Sequence, residues 1–459
     1  MDTREVLAHV WSLAELPSPA LRYAQLEGAD PVLPSSFAVG TAAQVPIAAA
    51  ALAASEVGHA RGHPRQEVGV DMRHAALECA GWFSIDGRVP EAWDKFSGLY
   101  RCADGWVRVH ANFAHHRDGA LRLLGLEADT AQRADAERAL LQWRALEFEQ
   151  AAAERGLVVA ALRTFDEWDA HPQGQATAAR PLLTFERIDD APARAFPDIE
   201  ATQRPLSGVR VLDLTRILAG PVCGRTLAAY GADVMLVNAP HLPNIESIAS
   251  TSRGKRSAHV DLRTEQGRRD LDALLARTRI FVQGYRPGAL DALGYGPAAL
   301  AQRYPGIVYV SLSAYGSEGP WHARRGFDSL VQAATGFNLA EAEAAGVDAP
   351  KALPMQILDF ATGHLMAFAA AAALVRQVHE GGSRHVRVSL AQTGRWIRSL
   401  GRVPDGLAIP WPDRAPYLET SASGFGELVT VRHSAQLART PARWIRPSVP
   451  PGFDAAAWT

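Results

Sequence analysis

The chain has 459 residues, 47% of them apolar and 21% charged, with a net charge of -2 at pH 7. That length allows two or three cores, and the near-balanced charge excludes a general nucleic-acid or membrane-surface role. Cys79, Cys102 and Cys223 are odd in number and form no CxxC pair, so neither a disulfide frame nor a zinc site is supported.

In chain order, the first residues, MDTREVLAHV, mix charges and lack an apolar h-region. No secretory signal is expected, and the reading places the protein in the cytoplasm with no membrane partner. An Ala-rich helix is predicted over Thr41–Ser55, then a strand over Val68–Met72 and a Gly/aromatic region from Phe96 to Ala111. Helical patterns follow over 116–170. Residues 187–205 carry three prolines and little periodicity, as a linker does.

Residues 206–390 then alternate strands and helices. The strands are predicted at Val209–Leu214, Asp233–Val237, Ile280–Gln283, Ile307–Ser311 and His385–Leu390. The helices are predicted at Cys223–Tyr230, Glu265–Ala276, Pro297–Arg303 and Phe360–Val378. Such alternation predicts an α/β fold, a doubly wound parallel sheet with helices on both faces. The apolar runs Ala48–Ala54 and Met366–Val375 fall short of the roughly 18 residues of a membrane span and read as buried helices. The Pro-rich tail after 404 reads as a surface strap. One internal repeat stands out: Leu33-Pro34, an Ala-rich helix and residues 62–77 run parallel to Leu353-Pro354, an Ala-rich helix and residues 381–394. In that alignment the position of Asp359 falls near Val39.

The loop Thr215–Pro221 leaves the C-terminal edge of the first strand, where doubly wound sheets bind ligands. It has one glycine and not GxGxxG, and the chain has neither GxxxxGK[ST] nor GxSxG, so dinucleotide, P-loop and serine-hydrolase sites have no foothold. From its residue type alone, Asp359, placed just before an apolar helix, reads as an N-cap. His364 reads as part of a buried helix face or as a neighbour tuning Asp359. His171, His115 and His116 lack convergent ligands, and no metal site is expected.

Five ordered segments together resemble the family III CoA-transferases, the group of formyl-CoA transferase, carnitine CoA-transferase and the methylacyl-CoA racemases. They are LSGVRVLDLTRILAGPVCGRTLAAYGADVMLV (206–237), SRGKRSAHVDLRTEQGRRDL (252–271), VQGYRPGALDALGYG (282–296), SLSAYGSEGPWHARRGFDSLVQAATG (311–336) and ILDFATGHLMAFAAAAAL (357–374). Residues 1–200 resemble material that follows the sheet domain in the family, so the chain is similar to a member with permuted segment order. The resemblance implies a helix–strand segment over 1–89 packing on the sheet domain and a small α+β domain over 90–185. It further implies a linker over 186–205, a Rossmann-like CoA-binding domain over 206–403 and a strap over 404–459.

The implied activity is transfer of CoA between an acyl-CoA and a carboxylic acid. In the family pattern D-x-x-x-G, matched by Asp359 and Gly363, the carboxylate is the covalent nucleophile. The implied CoA contacts are Ile217, Leu218, Ala219, Arg253, Gly254, Lys255, Arg256, Tyr285 and Arg325. For each, a turn, a strand end, core packing or plain surface charge stays open as the alternative. CoA is implied as substrate with no permanently bound cofactor, and a homodimer is implied as the assembly. Asn238, Gly284 and Ala292 depart from the family, which leaves a non-catalytic CoA-binding relative as an alternative. Phe327 stands where the racemases carry a histidine, and phenylalanine cannot move a proton, so transfer is favoured over racemisation. Asp328 reads as a structural cap.

Overall fold

The computed structural model describes residues 2–458. Its largest sheet has seven strands: β1 (Thr184–Arg187), β2 (Arg210–Leu214), β3 (Asp233–Asn238), β4 (Lys255–His259), β5 (Ile280–Gln283), β6 (Val308–Ser313) and β7 (Arg384–Ser389). Their spatial order is β4-β3-β2-β5-β6-β7-β1. Every neighbouring pair is parallel except β7 with β1, which is antiparallel. Strand β4 is an addition to the expected set. Its run Lys255-Arg256-Ser257 is too polar to read as a buried strand, yet Lys255 and Ser257 are buried.

Seven helices matter for the site: α1 (Val39–His59), α2 (Ala219–Ala229), α3 (Glu265–Leu275), α4 (Pro297–Arg303), α5 (Asp328–Ala334), α6 (Ile357–Glu380) and α7 (Leu390–Ser399). Side chains alternate across a pleated strand, so each apolar strand feeds two cores. Val211, Val234, Val282, Val308 and Val310 pack on one face with α1, α2 and α6. Leu212, Met235, Phe281 and Tyr309 pack on the other with Leu271 and Leu275 of α3 and Leu300 of α4. Burial on both faces is what makes these strands read as continuous apolar runs.

Helix α6 extends beyond the apolar run that marks it in the sequence. Its 24 residues are long and apolar enough by length and composition to cross a membrane, but the apolar window is wholly buried inside the protein. It packs on α1 and α2 through small residues. Gly363 marks a close approach to α2, since a Cβ there would stand 2.5 Å from the Ala219 carbonyl oxygen. Only glycine fits between the two helices.

Residues 98–161 carry a separate apolar cluster. Gly98–Arg101, Trp106–Val109 and Val159–Ala161 form an antiparallel sheet, backed by Ala114–Leu123, Arg133–Leu140 and Ala145–Glu154 around Tyr100, Val107, Leu140 and Phe148. Residues 189–205 hold no helix or strand. They are pinned all the same: the Arg61 guanidinium donates to the carbonyls of Pro197, Pro205 and Ser207.

The Pro-rich tail differs from a plain strap. Leu418–Ser423 and Gly426–Val431 form a hairpin that Phe83–Ile85 extends, and Ala435–Leu437 pairs with Val68–Asp71, itself paired with Ala24–Glu27. All three cysteines are free and buried. Burial pushes their thiols upward, that of Cys102 to about 11.

Candidate active site

The loop after β2 is fixed from below by a buried ion pair. Asp213 accepts from the Thr215 amide at 3.1 Å and from Lys255 Nζ at 2.9 Å, and Lys255 Nζ also donates to the Pro221 carbonyl at 2.7 Å. Both side chains are fully buried. The loop above is held in an unusual shape, for Ile217 has φ of 76°, a region that β-branched residues avoid. That turn delivers Leu218 and Ala219 to the start of α2.

Above this loop lies a cavity of about 380 Å³. It opens at the C-terminal ends of β2, β5 and β6, where Leu214, Gly284, Leu312 and Ser313 form its floor. The strand order reverses between β2 and β5, and parallel sheets bind ligands at such points. Phe113, His115 and His116 close the cavity from the 98–161 unit.

Asp359 lines the cavity and is the one carboxylate among its lining residues; Arg216, Arg286, Arg324 and Arg325 also line it. Four guanidiniums around one acid make a site that attracts anions. Asp359 occupies the first turn of α6. Its backbone N–H donates to Asp328 at 2.9 Å, so Asp328 serves as the cap of that helix. Asp328 also accepts from Gln332 and the Leu358 amide. The Asp359 carboxylate has no such donors among the described residues. Burial, reinforced by the neighbouring Asp328 charge, raises it well above the usual carboxylate range. Burial also pushes Asp328 up, to about 7.

The cavity wall is built from aromatic and cationic pairs. Phe327 stacks on His110 with ring centroids 4.1 Å apart, and Arg325 Nη1 lies 2.9 Å from His116 Nε2. Burial holds both histidines near pKa 3, so each ring is neutral and His116 accepts from the guanidinium. Arg216 lies over Phe113 at 5.7 Å, and Arg324 over Trp321 at 4.0 Å.

Of the residues expected from the sequence, Ile217, Leu218, Ala219, Tyr285, Arg325 and Asp359 meet at this cavity. Arg253, Gly254, Lys255 and Arg256 do not line it. Arg253 lies 3.8 Å over the Trp444 ring and donates to Glu419 and Thr430. Gly254 has φ of 80°, and a Cβ there would meet Trp444. Lys255 is committed to Asp213, and Arg256 pairs with Asp233 at 3.4 Å. The run is positively charged because it neutralises acids and packs on an indole, all supplied from distant parts of the chain.

His364 is fully buried, with Nδ1 3.2 Å from Thr226 Oγ1, and belongs to the helix interface and not to the cavity. Asn238 reaches the Thr215 carbonyl, Gly284 lines the floor, and Ala292 sits exposed on a turn outside the cavity. Sequence reasoning missed Arg216, Arg286, Arg324 and Phe113. Arg216 lies inside the very loop that drew attention, and its charge beside Ile217 was the available signal. Phe113 gave none, because the residues that it meets across the cavity, Arg216 and Phe327, lie about a hundred residues or more away.

Residues 206–400 match the family model described as CoA-transferase family III. An acyl-CoA transferase of Gibberella moniliformis is 30% identical over 381 residues, covering 73% of this chain and 66% of that protein. A probable fatty acyl-CoA transferase of Mycobacterium tuberculosis is 36% identical over 233 residues, covering 46% of this chain and 58% of that protein. A succinate–glutarate CoA-transferase of Agrobacterium fabrum is 30% identical over 256 residues, covering 50% of this chain and 64% of that protein. The chain thus spans between 58% and 66% of the length of these relatives. Over residues 206–400 the chain is thus similar to CoA-transferase family III.

Proposed function

We propose that the protein is a cytoplasmic CoA-transferase that moves CoA between an acyl-CoA and a carboxylic acid, with Asp359 as its nucleophile. One observation carries this reading: a carboxylate without hydrogen-bond donors faces a cavity at the strand ends, ringed by four guanidiniums. On this reading the β2–β7 sheet is a Rossmann-like CoA-binding domain, its strand order agreeing with that of dinucleotide-binding sheets. The 98–161 unit is the small α+β domain that covers it.

The chemistry follows from the residue type. The ionised Asp359 attacks the thioester carbonyl, forming an acyl–aspartyl anhydride and expelling CoA thiolate. The thiolate attacks the aspartyl carbonyl of that anhydride, giving an aspartyl–CoA thioester and releasing the first acid. The second acid's carboxylate attacks this thioester and again frees CoA thiolate. Attack by the thiolate on the new acyl carbonyl yields the product acyl-CoA and regenerates the carboxylate. CoA is a substrate throughout, and no resident cofactor is required.

The guanidiniums of Arg216, Arg286 and Arg325 suit the phosphates of CoA and the incoming acid. Phe327 leaves no acid/base group at that position, which disfavours α-proton exchange.

Intact-mass analysis after incubation with a panel of acyl-CoA thioesters and hydroxylamine tests the reading. A hydroxamate at Asp359, absent in Asp359→Asn, is expected. Deuterium uptake at the substrate α-carbon from D₂O, without change of acid, would instead establish a racemase.

A further inference from the structure

We infer that the chain is two overlapping half-copies of one fold, interlocked within a single polypeptide, and that the site at Asp359 is completed in cis by both. The repeat seen in the sequence extends through the structure. Helix α1, strand Val68–Asp71 and helix Met72–Cys79 form one unit, and α6, β7 and α7 form the other. Each closing helix is capped alike: Asp71 accepts from the His74 amide at 2.7 Å, and Ser389 from the Gln392 amide at 3.2 Å. Each opening helix is also held alike. Asp30 takes the Gly40 and Thr41 amides, as Asp328 takes that of Asp359.

The flanks agree as well. Each unit's strand has a parallel neighbour, Ala24–Glu27 for the first and β6 for the second. Downstream of each unit, Gly-Arg-Val-Pro occurs (87–90 and 401–404), then an antiparallel hairpin (Gly98–Val109 and Leu418–Val431). An edge strand and Pro-Ala-Arg (192–194 and 441–443) follow.

Those edge strands are exchanged. Strand β1 follows the first unit in the chain yet pairs with β7 of the second. Ala435–Leu437 follows the second unit yet pairs with Val68–Asp71 of the first. Two reciprocal exchanges, with α1 packed on α6 between them, lock the halves together.

What each half has lost is complementary. Among the described residues, the first half has no counterpart of β2 to β5 but keeps the helices of 114–178 between its hairpin and its edge strand. The second keeps β2 to β5 but passes from Val431 almost directly to Ala435. Only one pair of retained parts can meet, and they meet at Asp359: floor from the second half, Phe113 and His116 from the first. By the same capping pattern the position matching Asp359 is Thr41, the third residue of α1, which carries no carboxylate and whose hydroxyl donates to Asp30 at 2.7 Å. One site position is built and its twin is dismantled.

Disulfide trapping across the exchanged pairings decides this without any CoA ligand, so its failure is distinguishable from failure of the CoA-transferase reading. Gly69 faces Gln436 in register, and a Cβ at Gly69 meets nothing within 4 Å. Thr184 likewise faces Arg387. After oxidation, Gly69→Cys/Gln436→Cys and, as an independent second variant, Thr184→Cys/Arg387→Cys are expected to form bridges that stay at single-chain mass, 49.4 kDa, on non-reducing gels. Bridged species of twice that mass would mean that the strands are exchanged between chains, and would overturn the inference.

Discussion

The backbone N–H of Asp359 donates to the carboxylate of Asp328 at 2.9 Å, while the Asp359 side chain receives no donor in return. One acid is thus spent on fixing a helix end, and its charge bears on the other. Both are buried, and both are raised above the usual carboxylate range. On the proposed reading, a carboxylate kept short of solvation is a reactive nucleophile once ionised, at a cost to the resting fold.

That cost is measurable as pH-dependent stability. With its folded pKa raised, Asp359 binds its proton more tightly in the folded than in the unfolded chain. Between the ordinary carboxylate range and the raised value, stability therefore falls as pH rises. Asp359→Asn cannot ionise. It is expected to melt a few degrees above the parent at pH 8 and to match it near pH 3, where both side chains are neutral. The same variant is expected to lose transfer activity by about 10⁴-fold or more, read as product acyl-CoA by chromatography.

Asp328→Asn removes the neighbouring charge while keeping an oxygen that accepts the Asp359 amide. The Asp359 pKa should then fall toward its ordinary value. The acid limb of the activity–pH profile is expected to move to lower pH. An unmoved limb would show that burial alone, and not Asp328, sets the ionisation of Asp359.

The basic residues separate into two groups with different expected phenotypes. Arg325→Ala removes a cavity guanidinium, and KM for acyl-CoA is expected to rise about 10- to 100-fold, the worth of one charge-assisted hydrogen bond. Arg253→Ala removes a guanidinium stacked on Trp444 and outside the cavity lining. It is expected to cost about 2 kcal/mol in denaturant unfolding and to leave KM unchanged.

Gly363→Ala tests the packing beneath Asp359. Its Cβ would stand 2.5 Å from the Ala219 carbonyl oxygen and 2.7 Å from Val222 Cβ. Overpacking of this kind costs about 1–3 kcal/mol. Because Ala219 also lines the cavity, kcat is expected to drop along with the melting temperature.

The sheet was legible in the sequence because its strands are buried on both faces and separated by glycine-terminated or proline-initiated helices. Ile280–Gln283 and Pro297–Arg303 were read with the bounds they have. Strand β4 was not legible, since Lys255 and Arg256 look solvated until Asp213 and Asp233 are seen beside them. Arg253, a CoA contact only by the family resemblance, stacks on Trp444, a partner nearly two hundred residues downstream that no local pattern announces. Asp359 stood out only through the family pattern that it shares with Gly363; by residue type alone it read as a helix cap, and it does lie in the first turn of α6. The wall made by Phe113 and His116 was not legible, because no local pattern announces a partner about two hundred residues downstream. The hairpin at 418–431 escaped for another reason: its first strand is mostly small and polar, and Phe83–Ile85, which pairs with its second strand, lies at the other end of the chain.

The burial of Cys79, Cys102 and Cys223 has a bearing on redox tolerance. The proposed cycle frees a CoA thiolate twice, beside a protein that offers it no reachable sulfur for exchange. Mixed disulfides with oxidised CoA, and alkylation by maleimides, should therefore leave the folded protein unmodified. Its working state is then insulated from swings in the surrounding thiol pool.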